Sequence, residues 1–237
     1  QNVISAAASS GVEKLIFLGS SCIYPRNCAQ PIKEEYLLTG PLEPTNRAYA
    51  LAKIAGIELC SAYNQQYGTN FISLMPTNLY GVGDNYSPEG SHVIPGLIRR
   101  IHEAKIQGHD EVKVWGTGQP RREFLFSSDL ADACLYVFER IESVCKQLSM
   151  ENKTPIVNVG SSEEFTIEET ARAICCEIGF KGKIVFDNSK PDGTPRKILD
   201  TGILSSLGWT AQTRFESGLR SVYRDFLKRN TPNGDER

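Results

Sequence analysis

The chain carries no surplus of either charge: 26 Lys and Arg stand against 28 Asp and Glu in 237 residues, for a formal net charge of −2. Such a balance gives no extended field for a polyanion or an anionic membrane surface, so nucleic acid is not an expected partner. Any phosphate must be met by a few placed side chains. No run of about 18 apolar residues occurs, so no membrane partner is expected. Gln1-Asn2-Val3-Ile4 has neither the basic start nor the apolar stretch of a secretion signal, and a cytoplasmic location is expected. The seven cysteines, Cys22, Cys28, Cys60, Cys134, Cys145, Cys175 and Cys176, include no CxxC pair and no Cys/His cluster at zinc spacing. Neither a metal site nor a disulfide framework is expected, and most of these thiols are read as small buried hydrophobes. A glycine-rich strand-to-helix turn is also missing. Gly81-Val82-Gly83 and Gly116-Thr117-Gly118 are isolated pairs that do not open a helix in a GxGxxG turn.

What is present is an ordinary globular composition, 40% hydrophobic and 23% charged, with strands and helices in alternation. Ala-rich Val3 to Ser10 reads as a helix stopped by Gly11. Lys14-Leu15-Ile16-Phe17-Leu18 is the nearly continuous apolar run of a strand buried on both faces, as in a parallel sheet. Helices are expected over Ala48 to Tyr67, Ile94 to Lys105, Leu130 to Ile141 and Phe215 to Leu227. Strands are expected over Phe71 to Met75, Val112 to Trp115, Ile156 to Val159 and Lys183 to Phe186. Thr166 with Glu169 makes a capping box for a helix over Ile167 to Ile178. Tyr80 to Ser91 and Ser189 to Arg196 read as irregular loops. A helix between two strands suggests a right-handed βαβ unit, and the whole pattern reads as α/β without internal repeat or flexible linker.

Tyr49-Ala-Leu-Ala-Lys53 places a phenol and an ammonium four residues apart on one helix face. A free phenol titrates near about 10, and a neighbouring cation favours the phenolate that proton transfer near neutrality requires. The same spacing also suits an exposed lysine beside a half-buried tyrosine. Upstream, Ser20, Ser21 and Cys22 follow a strand, at the end where open α/β sheets hold their ligands. Cys22 alone could equally be a packed thiol, and His92 a solvated loop histidine.

Strand-end serine followed by YxxxK resembles the short-chain dehydrogenase/reductase superfamily, in its extended sugar-nucleotide branch. Within that branch the chain most resembles the GDP-L-fucose synthase family. The resemblance rests on strings spread over almost the whole chain: Leu18-Gly-Ser-Ser-Cys-Ile-Tyr-Pro25, Leu42-Glu-Pro-Thr-Asn46, Met75-Pro-Thr-Asn-Leu-Tyr-Gly81, Ser91-His-Val-Ile-Pro95, Val114-Trp-Gly-Thr-Gly118, Arg122-Glu-Phe124 and Lys190-Pro-Asp-Gly-Thr-Pro-Arg196.

The resemblance implies a Rossmann-type doubly wound parallel sheet with a smaller C-terminal α/β substrate domain. Residues 1–78, joined by parts of about 120–162, would form the remainder of an NADP-binding domain; 79–119 and 163–237 would mainly bind substrate. It implies NADP(H) as cofactor and GDP-4-keto-6-deoxy-D-mannose as substrate, with epimerisation at C3 and C5 and reduction at C4 giving GDP-L-fucose. Tyr49 would give a proton to the C4 oxygen, Ser20 would orient that oxygen, and Lys53 would bind the nicotinamide ribose. Cys22 would be the epimerising base and His92 the acid. Pro76, Thr77, Asn78, Leu79 and His92 would line the nicotinamide. Asn78, Arg100, Trp115, Arg122 and Asp192 would meet the GDP-sugar, where a diphosphate needs cations and a base needs a flat surface or hydrogen bonds. Family members pair as homodimers, and the helix Ala48 to Tyr67 is expected at that interface. Cys28 matches no family role.

The chain departs from the family in lacking the glycine-rich turn, and the adenine and pyrophosphate half of the domain is expected to stand before Gln1. Phe126-Ser-Ser-Asp129 also replaces a histidine-containing string of many relatives. Competing readings are a C4 epimerase or 4,6-dehydratase of the same branch, a cofactor-free nucleotide-binding fragment, and a cysteine hydrolase built on Cys22 and His92. The Cys22 and His92 pair argues against the first two enzymes, and the family strings argue against the hydrolase.

Overall fold

The computed structural model describes residues 1–230. In chain order the elements are α1 (Asn2–Ser9), β1 (Lys14–Leu18), α2 (Arg47–Tyr67), β2 (Asn70–Pro76), β3 (Asn78–Tyr80), α3 (Val93–Ile106), β4 (Glu111–Trp115), β5 (Arg121–Phe126), α4 (Ser127–Glu139), α5 (Ile141–Met150), β6 (Ile156–Val159), β7 (Glu164–Thr166), α6 (Ile167–Ile178), β8 (Lys183–Asp187), β9 (Arg196–Lys197), α7 (Gly202–Ser206) and α8 (Phe215–Asn230). They divide into two units, the first comprising Gln1–Asn78, Ser128–Glu163 and Lys197–Ala211, the second Leu79–Ser127, Glu164–Arg196 and the chain from Gln212 onward.

The first unit is built on a parallel sheet of order β1-β2-β6, with Leu15 opposite Phe71 and Met75 opposite Asn158. Its helix α2 buries Ala50, Ile54, Ile57 and Cys60, a stripe at helical spacing, and leaves the opposite face wet. Gly56 sits on this stripe because a Cβ there would strike the ring of Phe17 on β1. Ile54 and Ile57 pack with Ile23, Tyr24, Met75, Ile156 and Leu199, while Cys60 joins Ile4 and Phe71 in a second cluster. Gly68, at φ +69°, ends the helix. The parallel βαβ unit is as expected.

Two expectations fail here. β1 is not buried on both faces: each of its residues is partly or largely exposed, and among the described residues it pairs with β2 alone. The helix expected over Leu130 to Ile141 instead stops at Glu139. Arg140 leaves helical geometry at φ −112° and ψ 8°, and α5 starts at Ile141. No glycine or proline marks that break, which is why hydrophobic spacing ran across it.

In the second unit β5 runs antiparallel to β7, and β4 runs parallel to β8 with Val112 opposite Ile184. Its core gathers Leu97 and Ile101 of α3, Ile174 of α6, Leu219 and Val222 of α8, and an aromatic group of Tyr80, Phe124 and Phe215. The capping box forms as expected, with Glu169 N donating to Thr166 Oγ1 at 3.0 Å and Thr166 N donating to Glu169 Oε2 at 2.7 Å. Strands β3, β5 and β7 were not expected. Arg121-Arg-Glu begins β5 with three charged residues, which masks the strand signal of Phe124-Leu-Phe126.

Candidate active site

In the first unit Ser20, Ser21 and Cys22 follow directly on the end of β1. Ser20 is extended, at φ −164°, and its Oγ accepts from Cys22 N at 3.2 Å, capping a single turn over Ser21–Ile23. The buried Tyr24 then fixes the loop, donating from Oη to Asn158 Oδ1 at 2.6 Å on β6. Burial first, with the nearby Glu34 carboxylate, pushes the Tyr24 phenol upward, so it remains a donor. Asn158 in turn donates to the carbonyls of Ile32 at 2.9 Å and Asp200 at 3.1 Å.

The helix face expected from the Tyr49/Lys53 spacing is formed. Lys53 Nζ lies 5.7 Å from the centroid of the Tyr49 ring and 5.2 Å from that of Phe17, and donates to the carbonyl of Leu18 at 2.7 Å. The ammonium is thus tied to the last residue of β1 while Tyr49 stays 49% exposed. At the end of β2, Thr77 N donates to Val159 O at 3.0 Å, with Pro76 and Thr77 buried and Asn78 half-buried.

The thiol of Cys22 has two neighbours that the sequence did not single out. Lys197 Nζ lies 3.3 Å from Cys22 Sγ, and the Asn46 side chain hydrogen-bonds the same thiol. Burial raises the Cys22 pKa, but the Lys197 charge and hydrogen bonds from Ser20, Lys197 and Asn46 outweigh it and bring the thiol below its ordinary value. Lys197 lies 175 positions from Cys22. No local spacing could reveal it, whereas Asn46, within Leu42-Glu-Pro-Thr-Asn46 and just before α2, was open to notice.

The second unit holds the other expected residues. His92 is exposed at the start of α3, its carbonyl accepting from Gly96 N at 3.0 Å; Leu79 is half-buried in β3. Along β4 the side chains alternate, Val112 and Val114 inward and Lys113 and Trp115 outward, which leaves Trp115 66% exposed. Lys190 Nζ lies 5.9 Å from the Trp115 ring centroid. Gly116, at φ +79°, permits a turn whose Cβ would collide with Asp192, and Asp192 accepts from Thr117 N at 2.8 Å and Thr117 Oγ1 at 2.7 Å. Those hydrogen bonds, with Arg122 contributing charge, hold the Asp192 carboxyl below its usual range. Arg122 donates to the carbonyls of Arg121 at 2.8 Å and Thr194 at 2.5 Å; Arg100 donates to those of Gly96 at 3.2 Å and Lys113 at 3.1 Å. Burial lowers the pKa of both guanidiniums.

In the first unit Lys53 and Tyr49 have the donor chemistry for one end of a dinucleotide. Lys53 keeps two N–H groups beyond its bond to Leu18, next to an exposed phenol at the carboxyl end of a parallel sheet. A pyrophosphate cradle is not found among the described residues. Gly83 N is taken by Asp225 Oδ2 at 3.0 Å and Gly116 packs on Asp192, and carboxylates in these positions repel phosphate.

Comparisons with known proteins show the family. A family model described as "NAD dependent epimerase/dehydratase family" matches residues 1–160. The chain is 54% identical over 226 residues to a GDP-L-fucose synthase of Sinorhizobium fredii, covering 95% of this chain and 69% of the relative. It is 52% identical over 230 residues to the GDP-L-fucose synthase of Escherichia coli, covering 96% and 70%. The crystal structure of a GDP-L-fucose synthetase from Naegleria fowleri bound to NADP superposes with a TM-score of 0.84 at 33% identity, covering 96% of this chain and 70% of that one. The chain therefore spans about two thirds of the length of these relatives.

Proposed function

Because the chain belongs to the NAD dependent epimerase/dehydratase family, we propose that it carries the activity of a GDP-L-fucose synthase, the NADPH-dependent conversion of GDP-4-keto-6-deoxy-D-mannose to GDP-L-fucose. The observation that carries this reading is the placement on one unit of Ser20, Cys22, Tyr49 and Lys53 around the ends of β1 and the start of α2.

The protons at C3 and C5 flank the C4 ketone, which withdraws the electrons left behind when either is removed. Cys22 takes such a proton, and the electron pair moves onto the ketone oxygen as an enolate. His92 is the group we assign to return a proton on the opposite face, which completes an inversion. Tyr49 gives its proton to the C4 oxygen, which the Ser20 hydroxyl orients. Lys53 would hold the nicotinamide ribose and keep its charge beside the phenol. When bound, the reduced nicotinamide supplies the hydride for C4. Pro76, Thr77, Asn78 and Leu79 would line the nicotinamide; Asn78, Arg100, Trp115, Arg122 and Asp192 would bind the GDP-sugar.

Among the described residues no helix is long and apolar enough to cross a membrane. A cytoplasmic location belongs to the same proposal, supported by seven unpaired cysteines. So does a homodimer through α2, where Leu51 presents exposed apolar surface.

The test incubates the chain with GDP-4-keto-6-deoxy-D-mannose in deuterated water, first alone and then with NADPH. Deuterium entering the sugar at C3 and C5, followed by NADPH oxidation and GDP-L-fucose formation, is the expected result. Absence of both exchange and oxidation, under conditions where a full-length relative turns over, defeats the reading.

A further inference from the structure

The loop that carries Cys22 is stitched to the segment that carries Lys197. Ile32 N donates to Ile198 O at 2.8 Å, Asp200 N donates to Ile32 O at 2.8 Å, and Ile198 N donates to Gln30 Oε1 at 3.0 Å. Leu199 is buried in the cluster that holds Ile23 and Ile32. These bonds fix the backbone on either side of the contact, so the 3.3 Å approach of Lys197 Nζ to Cys22 Sγ is built into the fold rather than left to a free lysine stem. Three groups face the sulfur: the Ser20 hydroxyl from the strand end, the Asn46 side chain from the start of α2, and the Lys197 ammonium from β9. The charged group among them is Lys197. Asn46 Oδ1 is buried and without a hydrogen-bond partner, and the side chain makes no cap bond to α2.

We propose that Lys197 is the positioning residue that keeps the Cys22 sulfur as a thiolate, so that Cys22 can remove a proton from the carbon beside a sugar ketone. This rests on the base role given to Cys22 above. In the step, the thiolate takes the proton and becomes a thiol, the C–H electron pair passes to the carbonyl oxygen, and Lys197 stays an ammonium throughout. Without that cation, burial would hold the sulfur as a neutral thiol, a poor base at neutral pH.

The experiment measures alkylation of Cys22 by iodoacetamide across a pH series, with peptide mass spectrometry reporting each cysteine separately. In the intact chain the Cys22 labelling midpoint lies below about 8.5, the value of a free thiol. Lys197→Met raises it by about 1–3 units, the shift expected on losing an opposite charge in contact, and Lys197→Arg restores most of the difference. Cys60 and Cys145 are buried and report the fold by staying unlabelled. An unchanged midpoint in Lys197→Met, with Cys60 and Cys145 still protected, overturns the proposal. If those two become labelled, Lys197→Gln takes its place, and a native midpoint there overturns it equally. Deuterium exchange into the ketosugar, measured without NADPH, supplies the second readout: Lys197→Met loses exchange at neutral pH and regains it as the pH rises. A native chain that shows the alkylation shift but never exchanges deuterium defeats the base role of Cys22 itself, and thereby separates failure of the synthase reading from failure of the Lys197 contact.

Discussion

Tyr24 donates its phenolic proton to Asn158 across 134 positions of sequence, at 2.6 Å, and so ties the Cys22 loop to the strand two places away in the sheet. Asn158 is fully buried, and its amide also serves the carbonyls of Ile32 and Asp200. Asn158→Ala leaves Tyr24 Oη and the Asp200 carbonyl without this partner and takes one of two donors from the Ile32 carbonyl, which keeps Asp200 N, and is expected to destabilise by about 3 kcal/mol. Tyr24→Phe, which strands one acceptor, should cost about 1–2 kcal/mol. Urea denaturation of the two variants checks the order; equal losses would mean that the amide acts only through the Tyr24 bond.

Tyr49 stands exposed on α2, so its hydroxyl can be removed without touching the core. Tyr49→Phe should keep the native melting temperature and lower C4 reduction by about 10²–10⁴-fold, while deuterium exchange at C3 continues. Stopped NADPH oxidation with continued exchange separates the proton donor of the reduction from the base of the epimerisation. Loss of both would place Tyr49 in substrate binding instead.

How much of this could be read from the residues follows from the range of the interactions. The Tyr49/Lys53 face, the Thr166 capping box and the parallel run of β1 and β2 depend on residues a few positions apart or on continuous apolar runs, and all were legible. The end of α4 at Arg140 was not, because that helix stops without a glycine or proline. The exposure of β1 depends on what lies beside it, which the five residues Lys14–Leu18 do not encode. In the site the same division holds. Ser20 and Cys22 are near neighbours in sequence, but the cation against the Cys22 sulfur comes from a two-residue strand near the other end of the chain, one residue past the string Lys190 to Arg196.

Glu164 accepts from both Arg196 nitrogens, at 2.8 and 2.9 Å, and pairs with Arg121 at 3.2 Å. The Arg196 hydrogen bonds, opposed by some burial and aided by both charges, hold its carboxyl below the usual range. A lowered folded value means the stabilisation is fully present above the unfolded carboxylate value of about 4.3 and is lost as the pH falls through the folded one. Glu164→Gln should therefore cost less than about 1 kcal/mol at neutral pH, because both arginine side chains are partly exposed and water screens the pairs. Melting curves of native and variant should converge in acid and draw together in about 1 M salt. A gap that persists at acid pH would place the effect in packing.

The two tryptophans report on different things. Trp209 is buried and its Nε1 donates to Asp132 at 2.7 Å, so its surroundings are fixed by the fold. Trp115 stands outward at the end of β4, beside the turn in which Gly116 and Thr117 close on Asp192. A flat, exposed indole next to that turn is suited to cover a nucleoside or sugar, and stacking there changes its emission. Titration with GDP-mannose should quench the intrinsic fluorescence, and Trp115→Phe should abolish the change while leaving Trp209 emission in place. Asp192→Asn weakens the grip on Thr117 and should shift the titration to higher concentration without removing the signal. A quench that survives in Trp115→Phe would move the reporter to Trp209 and take Trp115 out of the substrate site, because no other tryptophan exists in the 237 residues to carry it.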